Sequence, residues 1–116
     1  KAMLARMDDP NKEWSQADLM ARGEKVYQAN CVACHQANGK GVPPAFPPLE
    51  GSKLVLGPQD GQIGIVLNGK QGTAMASFKQ LSDVEIAAVI TYTRNAWGNK
   101  AEDGIVQPSE VKAARK

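Results

Sequence analysis

The residues best suited to chemistry in this 116-residue chain stand in one short run, Cys31-Val32-Ala33-Cys34-His35. The run holds both cysteines and the sole histidine of the sequence. Cys-x-x-Cys-His is the spacing of covalent c-type haem attachment. On a helix, residues i and i+3 share a face, so both thiols can reach two vinyl groups on one porphyrin edge. His35 then stands beside the ring, where it can turn an imidazole nitrogen onto the iron. Three other readings compete. A structural zinc site wants four ligands, and only three exist, crowded onto one turn. A thioredoxin-like redox pair wants a βαβ setting, and none precedes the motif. A disulfide or two buried thiols would account for neither the spacing nor the adjacent histidine.

Iron held by one imidazole has a sixth position, open for small-ligand chemistry or closed for electron transfer. With one His in the chain, bis-His ligation is excluded. Met3 and Met7 lie in a charged N-terminal stretch, and Met20 precedes the motif on what reads as the same helix, too close to cross the ring. Met75 sits in the Gly-rich run Gly69-Lys-Gln-Gly-Thr-Ala-Met75, 40 residues beyond His35. That separation lets the chain pass round the porphyrin to its other face. A loop Met can also be packing, but Met75 is the only one downstream of the motif. His/Met ligation raises the reduction potential and leaves no site for oxygen or peroxide.

Helices must position these groups. Ser15-Gln-Ala-Asp18 resembles a capping box, with Trp14 and Leu19 placed as a hydrophobic staple. Leu19, Gly23, Val26 and Tyr27 then follow at helical spacing into the attachment motif. Gly23 lies on the apolar face, which predicts close approach of another backbone there. Four of the seven prolines fall in Val42-Pro-Pro-Ala-Phe-Pro-Pro-Leu49, a stiff loop. A short helix is expected from Asp60 as N-cap to Asn68, with Gly69 as its stop. Ser82-Asp-Val-Glu85 is a second capping box, with Leu81 and Ile86 as its staple. Ile86, Val89, Ile90 and Thr93 mark one face of that helix, and Gly98 is expected to end it. No run alternates like a strand. The fold class is all-α: three or four short helices joined by long loops. A flat apolar ring could organise loops that long and make up for a chain only 5% aromatic.

Composition excludes several classes. The net charge of +2, from 14 basic and 12 acidic residues, is too balanced for nucleic-acid binding. No stretch is long and apolar enough for a transmembrane helix, and the N-terminus is not a signal peptide. Lys40, Lys53, Lys70 and Lys79 outnumber Glu50 and Asp60 between residues 36 and 80. They are read as solvated side chains, or as a weakly basic docking rim.

Over roughly residues 15–98 the sequence resembles the class I c-type cytochromes. Gly23, Tyr27, Cys31, Cys34 and His35 match that family's first helix and attachment site. Met75 matches its distal ligand, and Tyr92 matches the aromatic that packs on the Gly23/Tyr27 face. The resemblance implies the class I cytochrome c fold around one covalent haem c. It also implies a proline carbonyl that accepts from the ligand histidine; of Pro43 and Pro44, Pro44 is favoured. Such a bond fixes the imidazole tautomer and orientation. A narrower likeness lies in Met20–Tyr27, Gly41–Phe46, Val66–Lys70, Gly72–Ala76 and Ile90–Gly98. These look like the cytochrome c domain fused to subunit II of bacterial haem-copper cytochrome c oxidases. That likeness implies electron delivery to the dinuclear copper of the subunit's cupredoxin domain. It further implies a small redox protein or a quinol-oxidising complex as donor, and a periplasmic-face position, membrane-anchored in the full-length protein.

The expected organisation is a linker or tail over residues 1–14, a cytochrome c domain over 15–98 and a C-terminal tail over 99–116, the tail given no role beyond covering the surface. Trp97 is read as packing rather than part of the electron path. The expected role is non-enzymatic electron transfer, with Cys31 and Cys34 as tethers, His35 as proximal ligand and Met75 as distal ligand. A freely diffusing periplasmic carrier, a haem enzyme or gas sensor with a labile sixth ligand, and a haem-free zinc or dithiol module are the alternatives.

Overall fold

Two of the helices start at the capping devices visible in the sequence. In the computed structural model, which describes residues 13–36, 39–41, 48–69, 77–101 and 104–115, α1 spans Gln16–Asn30. The Ser15 hydroxyl accepts the Asp18 amide at 3.1 Å, and the flanking Trp14 and Leu19 are both buried. α2 is the single turn Val32–His35. α3, Lys53–Leu56, is capped by the Ser52 hydroxyl. α4 spans Gln59–Asn68 and ends on Gly69 at φ 73°. Its N-cap is Pro58 rather than Asp60, which lies in the first turn. The proline ring supplies a fixed φ at the entry, and an acid within the first turn still meets the positive end of the helix dipole.

α5, Asp83–Asn95, starts with the reciprocal capping box. The Glu85 amide donates to Ser82 Oγ at 3.1 Å, and the Ser82 amide donates to Glu85 Oε1 at 2.9 Å. The helix ends at Ala96, two residues before Gly98. α6, Pro108–Ala114, closes the described chain. No strand occurs among the described residues.

The core forms where α1 crosses α5. Gly23 makes the crossing possible: a Cβ there would stand 2.1 Å from the Ala88 carbonyl oxygen and 2.7 Å from Tyr92 Cβ. Leu19, Val26 and Tyr27 of α1 are buried together with Ile86, Ala87, Ala88, Val89 and Ile90 of α5. At roughly 1.5–3 kcal/mol for each large aliphatic side chain taken from water, this cluster, which wraps α5 beyond the crossing itself, is the main apolar contribution to the fold.

The segment beyond residue 98 does more than cover the surface. Val106, Pro108 and Val111 are fully buried, and the Thr91 hydroxyl of α5 holds the segment from both sides. It donates to the Val106 carbonyl (3.3 Å) and accepts the Val106 amide (2.9 Å). Trp14, expected in a linker, also belongs to the core. Its amide donates to Gln107 Oε1 (2.8 Å), and Gln107 Nε2 donates to the Trp14 carbonyl (2.9 Å).

Candidate haem-attachment site

Cys31 ends α1 and caps α2, its backbone in the right-handed helical region at φ −119°, ψ −22°. The helical path therefore runs through the motif: the Cys31 amide donates to the Tyr27 carbonyl (2.8 Å) and the His35 amide to the Cys31 carbonyl (2.9 Å). Cys34 lies within α2, three residues on, and His35 is its last residue. Cys31 and His35 are both half-buried, so each retains surface that a bound ring would cover. Cys31 packs against the apolar core, and the residue types of the motif, two thiols and an imidazole, fit the donor set of haem c.

The chain reverses immediately after His35. Gln36 adopts φ 66°, ψ 158°, a region used almost solely by glycine and costing about 1–3 kcal/mol for other residues. Two donors hold its carbonyl: the Tyr27 hydroxyl at 2.6 Å and the Gly39 amide at 3.1 Å. The His35 carbonyl accepts the Gly41 amide at 3.0 Å. The backbone on both sides of the histidine is thus fixed by hydrogen bonds.

Pro44 and Met75 lie outside the described residues, as does Lys70, but the roots of their loops are described. Below Pro44, the Gly39 carbonyl accepts the amides of Leu49 (2.7 Å) and Glu50 (3.0 Å). Below Met75, the Ser77 hydroxyl donates to the Leu67 carbonyl (2.5 Å) and the Phe78 amide to the Val66 carbonyl (2.8 Å). Each loop leaves and rejoins the framework at one place.

Three aromatics brace the attachment segment. Tyr27, Tyr92 and Trp97 pack mutually, with ring centroids 5.2–5.6 Å apart, an arrangement worth about 0.5–1.5 kcal/mol per pair beyond area burial. Trp97, itself at a positive φ of 56°, also lies against Gly39, where a Cβ would meet the indole at 2.5 Å. Burial raises the Tyr27 phenol well above the ordinary tyrosine range, helped by the Cys31 thiol and then by Tyr92. Tyr92 is raised by burial and then by Glu24.

A buried polar network on the opposite side of α5 has no counterpart in the sequence reading. Arg94, 1% exposed, donates to the Val55 carbonyl (2.9 Å) and reaches Gln62 Oε1 at 3.5 Å. Gln62 Nε2 donates to Thr93 Oγ1 (2.7 Å). Asn99 donates to the carbonyls of Thr93 (2.9 Å) and Leu49 (3.2 Å) and accepts the Gly51 amide (2.8 Å). One signal was visible: Arg94 stands four residues after Ile90, on the apolar stripe, where an arginine survives only if its charge is hydrogen-bonded. Gln36 gave no signal, since nothing about glutamine foretells a positive φ.

Comparison with known proteins agrees with this geometry. The family described as cytochrome c oxidase, cbb3-type, subunit III matches residues 18–92. Cytochrome c-552 of Thermus thermophilus is 43% identical over 93 residues, covering 68% of this chain and 70% of the relative. The cytochrome c subunit of a quinone alcohol dehydrogenase from Gluconobacter oxydans (strain 621H) is 35% identical over 104 residues. The cbb3-type cytochrome c oxidase subunit CcoP of Azospirillum brasilense is 32% identical over 96 residues. The chain covers 22% and 32% of those two relatives' lengths. The chain belongs to the class I c-type cytochromes, as a cytochrome c domain of the kind found in cbb3-type oxidases. Its cofactor is a covalent haem c, and it transfers electrons without being an enzyme itself.

Proposed function

We propose that this domain relays electrons one at a time to a haem-copper oxidase at the periplasmic face, with His35 and Met75 as axial ligands. Cys31 and Cys34 are the tethers, and the Pro44 carbonyl accepts from the His35 ring and sets its tautomer. Bound haem c supplies the Fe(III)/Fe(II) couple. The protein's part is to exclude water from the ring, to hold both ligands through the redox change and to leave an edge accessible. The observation that carries the reading is the attachment motif on the helical turn that follows α1, its histidine held through its own backbone and that of Gln36 and the segment braced by three aromatics.

The acceptor is the dinuclear copper of a cupredoxin domain in oxidase subunit II, to which this domain is fused. The runs Met20–Tyr27 and Ile90–Gly98 support this. A donor then serves from the other side, either a small redox protein or a quinol-oxidising complex. The match to the cbb3 subunit family supports a second acceptor, the haems of a cbb3-type complex. The described residues contain no helix long and apolar enough to cross a membrane.

Met75→Ala tests the ligation. The near-infrared sulfur-to-iron band should disappear and ferrous carbon monoxide binding should appear. A variant that keeps the parent spectrum defeats the assignment, and carbon monoxide binding by the unmodified protein would favour a sensor or enzyme. Stopped-flow oxidation of the reduced domain separates the acceptors: fast reaction with a copper-loaded subunit II cupredoxin supports the fusion reading, and reaction only with a cbb3 complex rejects it.

A further inference from the structure

We propose that Tyr27 is a positioning residue for the axial imidazole, acting through the carbonyl of Gln36. The inference rests on His35 being the proximal ligand. Three observations converge. The residue that follows His35 is held in a backbone region that glutamine avoids, φ 66° and ψ 158°. Such a conformation persists only where the surroundings over-determine it. The strongest contact on that residue is the 2.6 Å bond from the Tyr27 hydroxyl. The phenol that donates it is buried at the α1–α5 seam, wedged between Tyr92 and Trp97 at 5.5 and 5.2 Å, so it cannot follow the carbonyl if the carbonyl turns.

The place of the Gln36 carbonyl relative to His35 depends jointly on the ψ of His35 and on the φ and ψ of Gln36. Holding that carbonyl therefore restrains the three torsions together, the exit torsion of the ligand residue among them. On the entry side, the His35 amide is fixed to the Cys31 carbonyl (2.9 Å), one residue of the attachment pair. The His35 backbone is thus clamped between a tether and Tyr27. The backbone from which the ring springs is then positioned by the fold, before any bond to iron is made. Second partners of a ligand histidine ordinarily act on its ring nitrogen; this one acts on its backbone. A phenylalanine at position 27 would keep the packing and lose the clamp.

The test uses the holoprotein. In the ferric wild type, hyperfine-shifted proton resonances of the His35 imidazole report its orientation. Tyr27→Phe should shift those lines while the sulfur-to-iron band stays, showing that the ligands are retained. Gln36→Gly removes the cost of the positive φ, so the double variant Y27F/Q36G should bring the lines back to their wild-type positions. Lines unchanged in Y27F, with only the melting temperature lowered, would overturn the proposal and leave Tyr27 a packing residue. Lines shifted in Y27F but not restored in the double variant would also overturn it, since the hydroxyl would then act by another route. A wild-type spectrum without any shifted imidazole protons would overturn the ligand assignment itself, and this inference with it.

Discussion

One face of α5 meets α1 through bare backbone and small side chains; the other meets residues 49–62 and 104–111 through hydrogen bonds. At the first face, Gly23 lets the Ala88 carbonyl come within van der Waals reach of α1. At the second, Thr91, Thr93 and Arg94 bond groups 15, 31 and 39 residues away in sequence. The first face cannot accept an added atom. The second cannot lose one, because each deletion strands a buried partner. Steric seams specify by exclusion, and polar seams specify by satisfaction.

The largest effect should come from enlarging the steric seam. Gly23→Val forces a backbone separation and should cost about 3 kcal/mol or more, seen as a collapse of the denaturant midpoint. On the polar face, Thr91→Val keeps the shape but strands the Val106 amide and carbonyl. It should cost about 2 kcal/mol, with hydrogen exchange quickening around residue 106. If Gly23→Val proves milder than Thr91→Val, the contrast between the faces is lost.

The aromatic end of the steric seam adds a pH dependence. Folding raises both phenols above the ordinary tyrosine value of 10.0. The folded state therefore holds those protons more tightly, so this stabilisation is complete below 10.0 and is lost as pH climbs toward the raised folded values. Urea midpoints on the alkaline side of neutrality should stay level as far as 10.0 and fall beyond it, and Tyr27→Phe should flatten the fall. The smallest effect is at the rim. Arg115 pairs with Asp83 at 2.5 Å, with side chains 31% and 16% exposed. Arg115→Ala should cost only about 0.2–1 kcal/mol, less in high salt.

The sequence disclosed what local chemistry decides. The helix starts at Ser15 and Ser82, the glycine at the helix crossing and the glycine stop of α4 follow from capping, sterics and backbone freedom within a few residues. The attachment motif was equally plain, because its spacing has one strong chemical reading. What stayed hidden depends on contacts made across the chain. The burial of Val106, Pro108 and Val111 accompanies bonds from Thr91 and Trp14, and neither advertises a distant partner. The cap of α4 lies two residues before the expected Asp60; a proline entry and an acid in the first turn leave the same trace as an acidic cap. The strained Gln36 is held by a tyrosine nine residues earlier, a tertiary bond that no local pattern encodes.

The mutual clasp of Trp14 and Gln107 has a topological outcome. Positions 93 residues apart in sequence are side by side in space, so the segment that opens α1 and the segment that opens α6 are tied to each other just before either helix begins. The two helix starts are therefore set as a pair, and Gln107→Ala, which removes both bonds of the clasp, should loosen the beginnings of α1 and α6 together.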